Sequence, residues 1–264
     1  MRTRQLQFMR PDEILEAKQE KSIVYLPLGP LEWHSYHMPF GTDPIQAEMV
    51  AIRTAEKTGG VVMPTLYCGT EGRTSSEVLK TLGLDDPEQY VVGVDYPKNT
   101  VKSFYTKEEV FGLIVSEYIR LMAEQGYRLI VLVNGHGGSG QMATLERLAD
   151  EYSHEGTSHV LNCLTLTSLE EYTPDLAHAG KVETAIQRYY NDDNVDLSRL
   201  PERSVKLRYT DWGIVDCRAF LGNPTEDKTV EADPRDATAE QGRAYVEANA
   251  RILAELVEKE YRRL

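Results

Sequence analysis

The sequence has few cysteines and no long apolar run, and each shortage argues against a class of protein. Only three cysteines occur in 264 residues, which argues against a disulfide scaffold and favours a reducing compartment. No apolar run approaches the roughly 20 residues that span a bilayer. Residues 1–10 carry arginines but no apolar stretch, so a secretory signal is not expected. These features predict a cytoplasmic protein with no membrane partner.

Positive charge is scarce as well. The chain has 29 Lys and Arg residues against 42 Asp and Glu residues, a formal net charge of −13. Nucleic-acid binding needs a positively charged surface, so no nucleic-acid partner is expected. Hydrophobic residues make up 41% of the chain and charged residues 27%, which is typical of a globular protein. Because no repeat or linker-like segment interrupts the chain, residues 1–264 are predicted to form a single domain.

The apolar pattern predicts alternating strands and helices. The predicted strands are residues 22–28, 61–64, 127–133 and 159–164. The predicted helices are residues 43–58, 107–126, 140–154 and 237–264. This alternation indicates an α/β fold, a three-layer α/β/α sandwich around a mostly parallel sheet. Residues 65–106 contain several glycines and prolines without a sustained period, and their secondary structure is left unassigned.

Two loops at predicted strand ends contain groups that bind metals. Glu32 and His34 follow the first strand, Asp43 begins the next helix, and His136 follows the third strand between two glycines. In parallel sheets, ligands bind beyond the carboxyl ends of the strands. A mixture of carboxylate and imidazole suits zinc, manganese or iron. The residues alone leave two interpretations open, a metal site or structural side chains with Asp43 as a helix N-cap.

Three segments, in order along the chain, resemble the signatures of the creatininase (creatinine amidohydrolase) family. They run from Leu28 to Asp43, from Asn134 to Ser139, and from His178 to Thr184. The resemblance implies a metal-dependent hydrolase that holds two divalent ions, zinc, manganese or iron. By similarity, one ion is held by Glu32 and His136, the other by His34 and Glu183, and both by Asp43. Such an ion pair activates water and polarises a carbonyl.

The third segment implies a further role in the reaction. By resemblance, His178 lies beside the metals as a proton donor or substrate ligand, and a helix-start residue is the alternative. Creatininase itself has a carboxylate two residues after the loop histidine. Because this chain has Gly138 there, Glu183 is expected to supply the missing ligand. The family also implies a small-molecule substrate and a homo-oligomer, either a trimer or a hexamer.

Residues 65–106 bear on the substrate. They resemble a branch of the family that opens oxidised cyclic polyols, of the 3-dehydro-scyllo-inosose type, by C–C hydrolysis. The candidate substrate-binding residues are Tyr67, Glu71, Arg73, Asp95 and Tyr96. An oligomer contact is the alternative role for this segment. Other activities stay open: a C–N amidohydrolase acting on a creatinine-like lactam or a formamide, a mycofactocin-type peptidase, and a metal-binding relative without turnover.

Overall fold

Two apolar runs of the sequence form the middle of a parallel sheet in the computed structural model. The model describes residues 2–81, 83–84, 90–96, 99, 101–153, 158–165, 178–210, 213–215 and 233–264. The strands are β1 (Ile23–Gly29), β2 (Val61–Val62), β3 (Leu66–Tyr67), β4 (Leu129–Asn134) and β5 (His159–Leu164). β1 pairs with β2 and β3 on one side and with β4 on the other, and β5 pairs with β4. All four pairings are parallel, as predicted.

Helices connect and cover these strands. They are α1 (Pro11–Glu20), α2 (Thr42–Thr58), α3 (Ser76–Thr81), α4 (Glu108–Glu124), α5 (Ser139–Tyr152), α6 (Lys181–Tyr190) and α7 (Ala239–Tyr261). Short 3-10 helices lie at Leu6–Phe8, Asp192–Asn194, Leu197–Arg199 and Pro234–Asp236, and β6 (Arg208–Thr210) pairs antiparallel with β7 (Gly213–Val215). Among the described residues, no helix is long and apolar enough to cross a membrane.

Alternate side chains of the central strands point to opposite helical layers. On β1, Val24 and Leu26 pack in a cluster with residues of α4 and α5. Ile23 and Tyr25 pack in a second cluster with residues of α2, α6 and α7. This alternation is the period of two expected of a strand that is buried on both faces. The predicted three-layer α/β/α arrangement is therefore confirmed.

Candidate metal centre

The carboxyl ends of β1 and β4 carry the predicted metal-binding groups. Glu32 and His34 lie in the loop after β1, and His136 lies in the loop after β4. Asp43 is in the first turn of α2, and Glu183 is in the first turn of α6. None of these five residues is more than 7% exposed. Segments far apart in sequence thus bring three carboxylates and two imidazoles into one buried cluster.

Three overlapping groups among the described residues could hold a metal ion. One contains Glu32, His34 and His178. The other two share Asp43: one contains Glu32, Asp43 and His136, and the other contains His34, Asp43 and Glu183. Within each group, the candidate ligand atoms lie within 4.8 Å of one another. Zinc binds nitrogen and oxygen at about 2.0–2.2 Å, so side chains at this spacing can surround one ion with small movements.

The Asp43 carboxylate lies between the two groups that share it. Its Oδ1 is 3.1 Å from Nε2 of His34, and its Oδ2 is 3.1 Å from Nδ1 of His136. The alternative interpretation of Asp43 as a helix N-cap is wrong, because the residue that caps α2 is Gly41. A carboxylate whose two oxygens face different imidazoles has the arrangement of a ligand that bridges two ions.

The orientation of His34 tests whether a cation fits here. Its Nδ1 lies 3.0 Å from the backbone carbonyl of Glu32, which can only accept a hydrogen bond. In the neutral ring, Nδ1 therefore carries the proton and Nε2 carries the lone pair. That buried Nε2 has no hydrogen-bond partner among the described residues, although Asp43 Oδ1 is 3.1 Å away. A lone pair that faces carboxylate oxygens fits a shared cation.

The electrostatics of the cluster favour positive charge at its middle. Burial opposes a charge on His34, yet Asp43 and Glu183 raise the pKa of this imidazole to about 10. Burial raises the pKa of the Glu183 carboxyl to about 7. Burial also works against ionised Glu32, but His136 and His178 hold the pKa of this carboxyl well below its usual value. Either protons on the imidazoles or bound cations supply the positive charge that the carboxylates favour.

His178 is also part of the cluster. Its Nε2 donates a hydrogen bond of 2.7 Å to the backbone carbonyl of Trp33, which leaves Nδ1 at 3.7 Å from Glu32 Oε2. Its ring lies 4.3 Å from the ring of His34, between centroids. Burial and the nearby His34 charge lower the pKa of His178 to about 4, so the ring is neutral at pH 7. In this state, Nδ1 is able to accept a proton.

A cavity of about 450 Å³ opens beside the cluster. Of the five candidate substrate-binding residues, Glu71 and Arg73 are among those that line it. The structure places the other three elsewhere. Asp95 Oδ1 accepts a hydrogen bond of 2.7 Å from the backbone N–H of Ser103. Tyr96 is fully buried in an apolar cluster with Trp33, and Tyr67 is 50% exposed on β3.

Several supporting residues were not predicted. The Tyr105 hydroxyl donates a hydrogen bond to Glu32 Oε1. Asn134 Oδ1 accepts hydrogen bonds from the backbone N–H of His136, at 3.0 Å, and from Gln141 Nε2, at 2.7 Å. Asn134 belongs to the second motif, and this is the one sequence signal that could have identified any of these supporting residues. Tyr105 and Gln141 have no motif and reach the site only through tertiary packing.

Comparison with known proteins identifies the family. A family model described as creatininase, creatinine amidohydrolase, matches residues 7–257. A creatinine amidohydrolase from Pseudomonas putida is 26% identical over 194 residues, which cover 67% of this chain and 68% of that protein.

Two solved structures share the fold. A glutamate-to-glutamine mutant creatininase of Zn-Zn type has a TM-score of 0.68 at 20% identity, and the match covers 99% of each chain. A manganese creatininase has a TM-score of 0.69 at 20% identity, covering 98% of this chain and 99% of that one. Because the family model spans almost all of the sequence, as the three motifs predicted, the protein belongs to the creatininase family of metal-dependent hydrolases.

Proposed function

We propose that this chain is a dinuclear metal hydrolase that adds water to a carbonyl group of a small cyclic or amide-type substrate. The observation that carries the proposal is the division of the Asp43 oxygens between His34 and His136. Glu32 and His136 complete the set of ligands for one ion, and His34 and Glu183 for the other. The zinc and manganese forms of structurally similar creatininases support these two metals here.

The side chains of the centre have separate roles in this reaction. When bound, a pair of divalent ions lowers the pKa of water and polarises a carbonyl group. Asp43 faces a histidine with each oxygen, so it is not available as the base. His178 lines the cavity with Nε2 bound to the Trp33 carbonyl, so its Nδ1 takes the proton from water. It then returns this proton to the leaving atom, as a general base that becomes a general acid.

Two kinds of bond are candidates for cleavage. Hydrolysis of a C–N bond in a lactam or a formamide is supported by the creatinine amidohydrolase from Pseudomonas putida. Ring opening at a C–C bond of an oxidised inositol is supported by the polar side chains on the cavity wall. These include Arg73, Thr74, Ser75 and Ser139. Such groups suit the hydroxyls of a polyol, and the cavity volume of about 450 Å³ suits a small ring.

A substrate screen tests this function. The zinc-, manganese- and iron-loaded forms are each assayed with lactams, formamides, oxidised cyclic polyols and peptides. We expect turnover of a small cyclic or amide-type compound by the wild-type chain and by Asp193→Ala, whose carboxylate is exposed. Asp43→Ala is expected to show none. Cleavage of peptides alone would instead favour a peptidase of the mycofactocin type. Absence of all turnover in the loaded protein would favour a metal-binding relative.

A further inference from the structure

From the surroundings of His136 we infer that Glu71 is a positioning residue, which fixes the ring so that Nδ1 faces the metal. The inference rests on the proposed function. His136 Nδ1 lies 3.1 Å from Asp43 Oδ2 and 3.4 Å from Glu32 Oε2, so this nitrogen belongs to the centre. The other nitrogen, Nε2, faces away; it is buried, makes no hydrogen bond among the described residues, and lies 3.4 Å from Glu71 Oε2. The imidazole thus lies between the centre and a carboxylate outside it.

The chain leaves space for this carboxylate by having glycine at position 138. A Cβ atom on Gly138 would lie 2.3 Å from Glu71 Oε2 and 2.2 Å from His136 Nε2. Real Cβ atoms do not approach other atoms so closely, because atomic overlap at such distances is prohibitive. Any side chain at this position would therefore separate Glu71 from His136. The contact requires glycine at position 138, because the Glu71 carboxylate occupies the space that a side chain there would fill.

Hydrogen bonds hold the two partners at a fixed separation. Glu71 Oε1 accepts the backbone N–H of Gly72 at 2.6 Å, which leaves Oε2 for His136. The neighbouring backbone N–H of Thr70 donates to Gln141 Oε1 at 3.0 Å. Gln141 in turn donates to Asn134 Oδ1, which also accepts the backbone N–H of His136. This chain of hydrogen bonds joins the Glu71 segment to the loop after β4.

The contact with Glu71 favours one of the two neutral forms of the His136 ring. A proton on Nε2 faces the Glu71 carboxylate, and the Nδ1 lone pair then points at Glu32 and Asp43. The alternative tautomer would place the Nδ1 proton where a cation is expected and leave Nε2 as an acceptor facing a carboxylate. Carboxylates that orient metal-binding histidines in this way also raise the basicity of the ring, and their loss costs about 10–100-fold in metal affinity.

Zinc affinity measured by chelator competition tests the inference. In Glu71→Ala, one of the two binding steps is expected to weaken by about 10–100-fold while the other step stays as in the wild-type chain. Glu71→Gln keeps an oxygen that accepts the Nε2 proton, so this variant is expected to lose less zinc affinity than Glu71→Ala. Glu77→Gln is the matched control, since Glu77 is an exposed carboxylate of the same segment, and it is expected to bind as the wild type does.

A second readout separates positioning from general stability. In the zinc-loaded wild-type protein, NMR of the histidine ring nitrogens is expected to show a proton on His136 Nε2 with a hydrogen-bonded chemical shift. That shift is expected to move in Glu71→Ala and to stay unchanged in Glu77→Gln.

Three outcomes overturn the inference. If Glu71→Ala binds both ions as tightly as the wild type, Glu71 does not orient His136. If it loses one ion entirely, far beyond the range expected for an orienting group, Glu71 is a direct ligand instead. If the wild-type chain itself binds no zinc, the proposed function fails, and this inference fails with it. The wild-type titration therefore distinguishes the two failures.

Discussion

At the scale of single residues, the centre depends on groups that fix the carboxylates in place. Tyr105 fixes Glu32, because its hydroxyl donates to Oε1 and leaves Oε2 directed at the histidines. Burial and the charge of Glu32 raise the pKa of Tyr105 well above its usual value. The hydroxyl therefore remains a hydrogen-bond donor throughout the neutral and moderately alkaline range.

Replacement of Tyr105 by phenylalanine tests this role. A hydrogen bond to a charged group contributes about 1.5–3 kcal/mol, so Tyr105→Phe is expected to lower the free energy of unfolding of the metal-free protein by about that amount. Urea denaturation measures this change, and zinc titration should show weaker binding. Tyr190→Phe is the control, because Tyr190 is 50% exposed. Equal stability of the Tyr105→Phe variant and the wild-type protein would remove Tyr105 from the support of the centre.

Protonation of the histidines makes metal binding depend on pH. Neighbouring carboxylates raise the pKa of His34 to about 10 and that of His136 well above its usual value, despite burial. In the metal-free protein at pH 8, the His34 ring is therefore positively charged, and it must lose a proton before a metal can bind; the raised pKa of His136 acts in the same direction. Binding is expected to release protons and to strengthen as the pH rises.

Isothermal titration calorimetry measures this release, because the apparent binding enthalpy then differs between buffers with different ionisation enthalpies. An apparent enthalpy that is the same in all buffers would contradict the expectation.

At the scale of elements, the loop after β4 lies directly on the first turn of α2. A Cβ atom on Gly135 would lie 2.0 Å from the backbone oxygen of Asp43, so Gly135→Ala must displace the helix start. The other glycine beside His136 behaves differently, because a Cβ on Gly137 would meet no atom within 4 Å.

The two glycines therefore provide a matched pair of variants. We expect Gly135→Ala to destabilise the protein by about 1–3 kcal/mol, as overpacking does, and to weaken zinc binding. Gly137→Ala is expected to keep wild-type stability and zinc affinity. Thermal unfolding with and without zinc compares the two. Similar behaviour of both variants would show that the contact between the loop and α2 does not position Asp43.

Much of the sheet could be predicted because β1 and β4 are buried on both faces. Such strands require continuous apolar runs, and the loops that follow them are marked by glycines. α1 was missed because Ala17 is its one buried residue, so no apolar stripe reveals the helix. Residues 65–106 could not be assigned because their described part packs on distant residues, including an apolar cluster around Trp33. No local period encodes such contacts.

The site residues also divide into those that a sequence motif marks and those that only tertiary packing brings in. The five candidate ligands could be predicted because motifs mark them, and the structure brings their side chains together. Tyr96 was predicted as a substrate-binding residue for its polar hydroxyl, yet its ring packs edge-on against Trp33. Tyr105 has the same chemistry nine residues later and reaches Glu32 instead. Residue type alone does not distinguish these two tyrosines, because tertiary packing decides which one enters the centre.

At the scale of the whole molecule, the outer face of α4 carries exposed apolar side chains. Val110, Leu113 and Leu121 are 43%, 70% and 44% exposed, and Phe104 just before the helix is 65% exposed. By the 3.6-residue period of a helix, Val110, Leu113 and Leu121 fall on one face of α4, and exposed apolar patches are typical of interaction sites. We expect a trimer or a hexamer of the 29.9 kDa chain, and Leu113→Lys should weaken its assembly. Sedimentation velocity measures the oligomeric state of the wild-type and Leu113→Lys proteins, and a monomeric wild-type protein would contradict this proposal.

The proposed hydrolysis depends on an Asp43 carboxylate that bridges two ions. Zinc content after equilibrium dialysis, measured by elemental analysis of the wild-type and Asp43→Ala proteins, tests it most directly. We predict two zinc ions per wild-type chain, and none in the variant because both ions lose a shared ligand. A wild-type chain with fewer than two ions, or an Asp43→Ala protein that still holds two, would contradict the account.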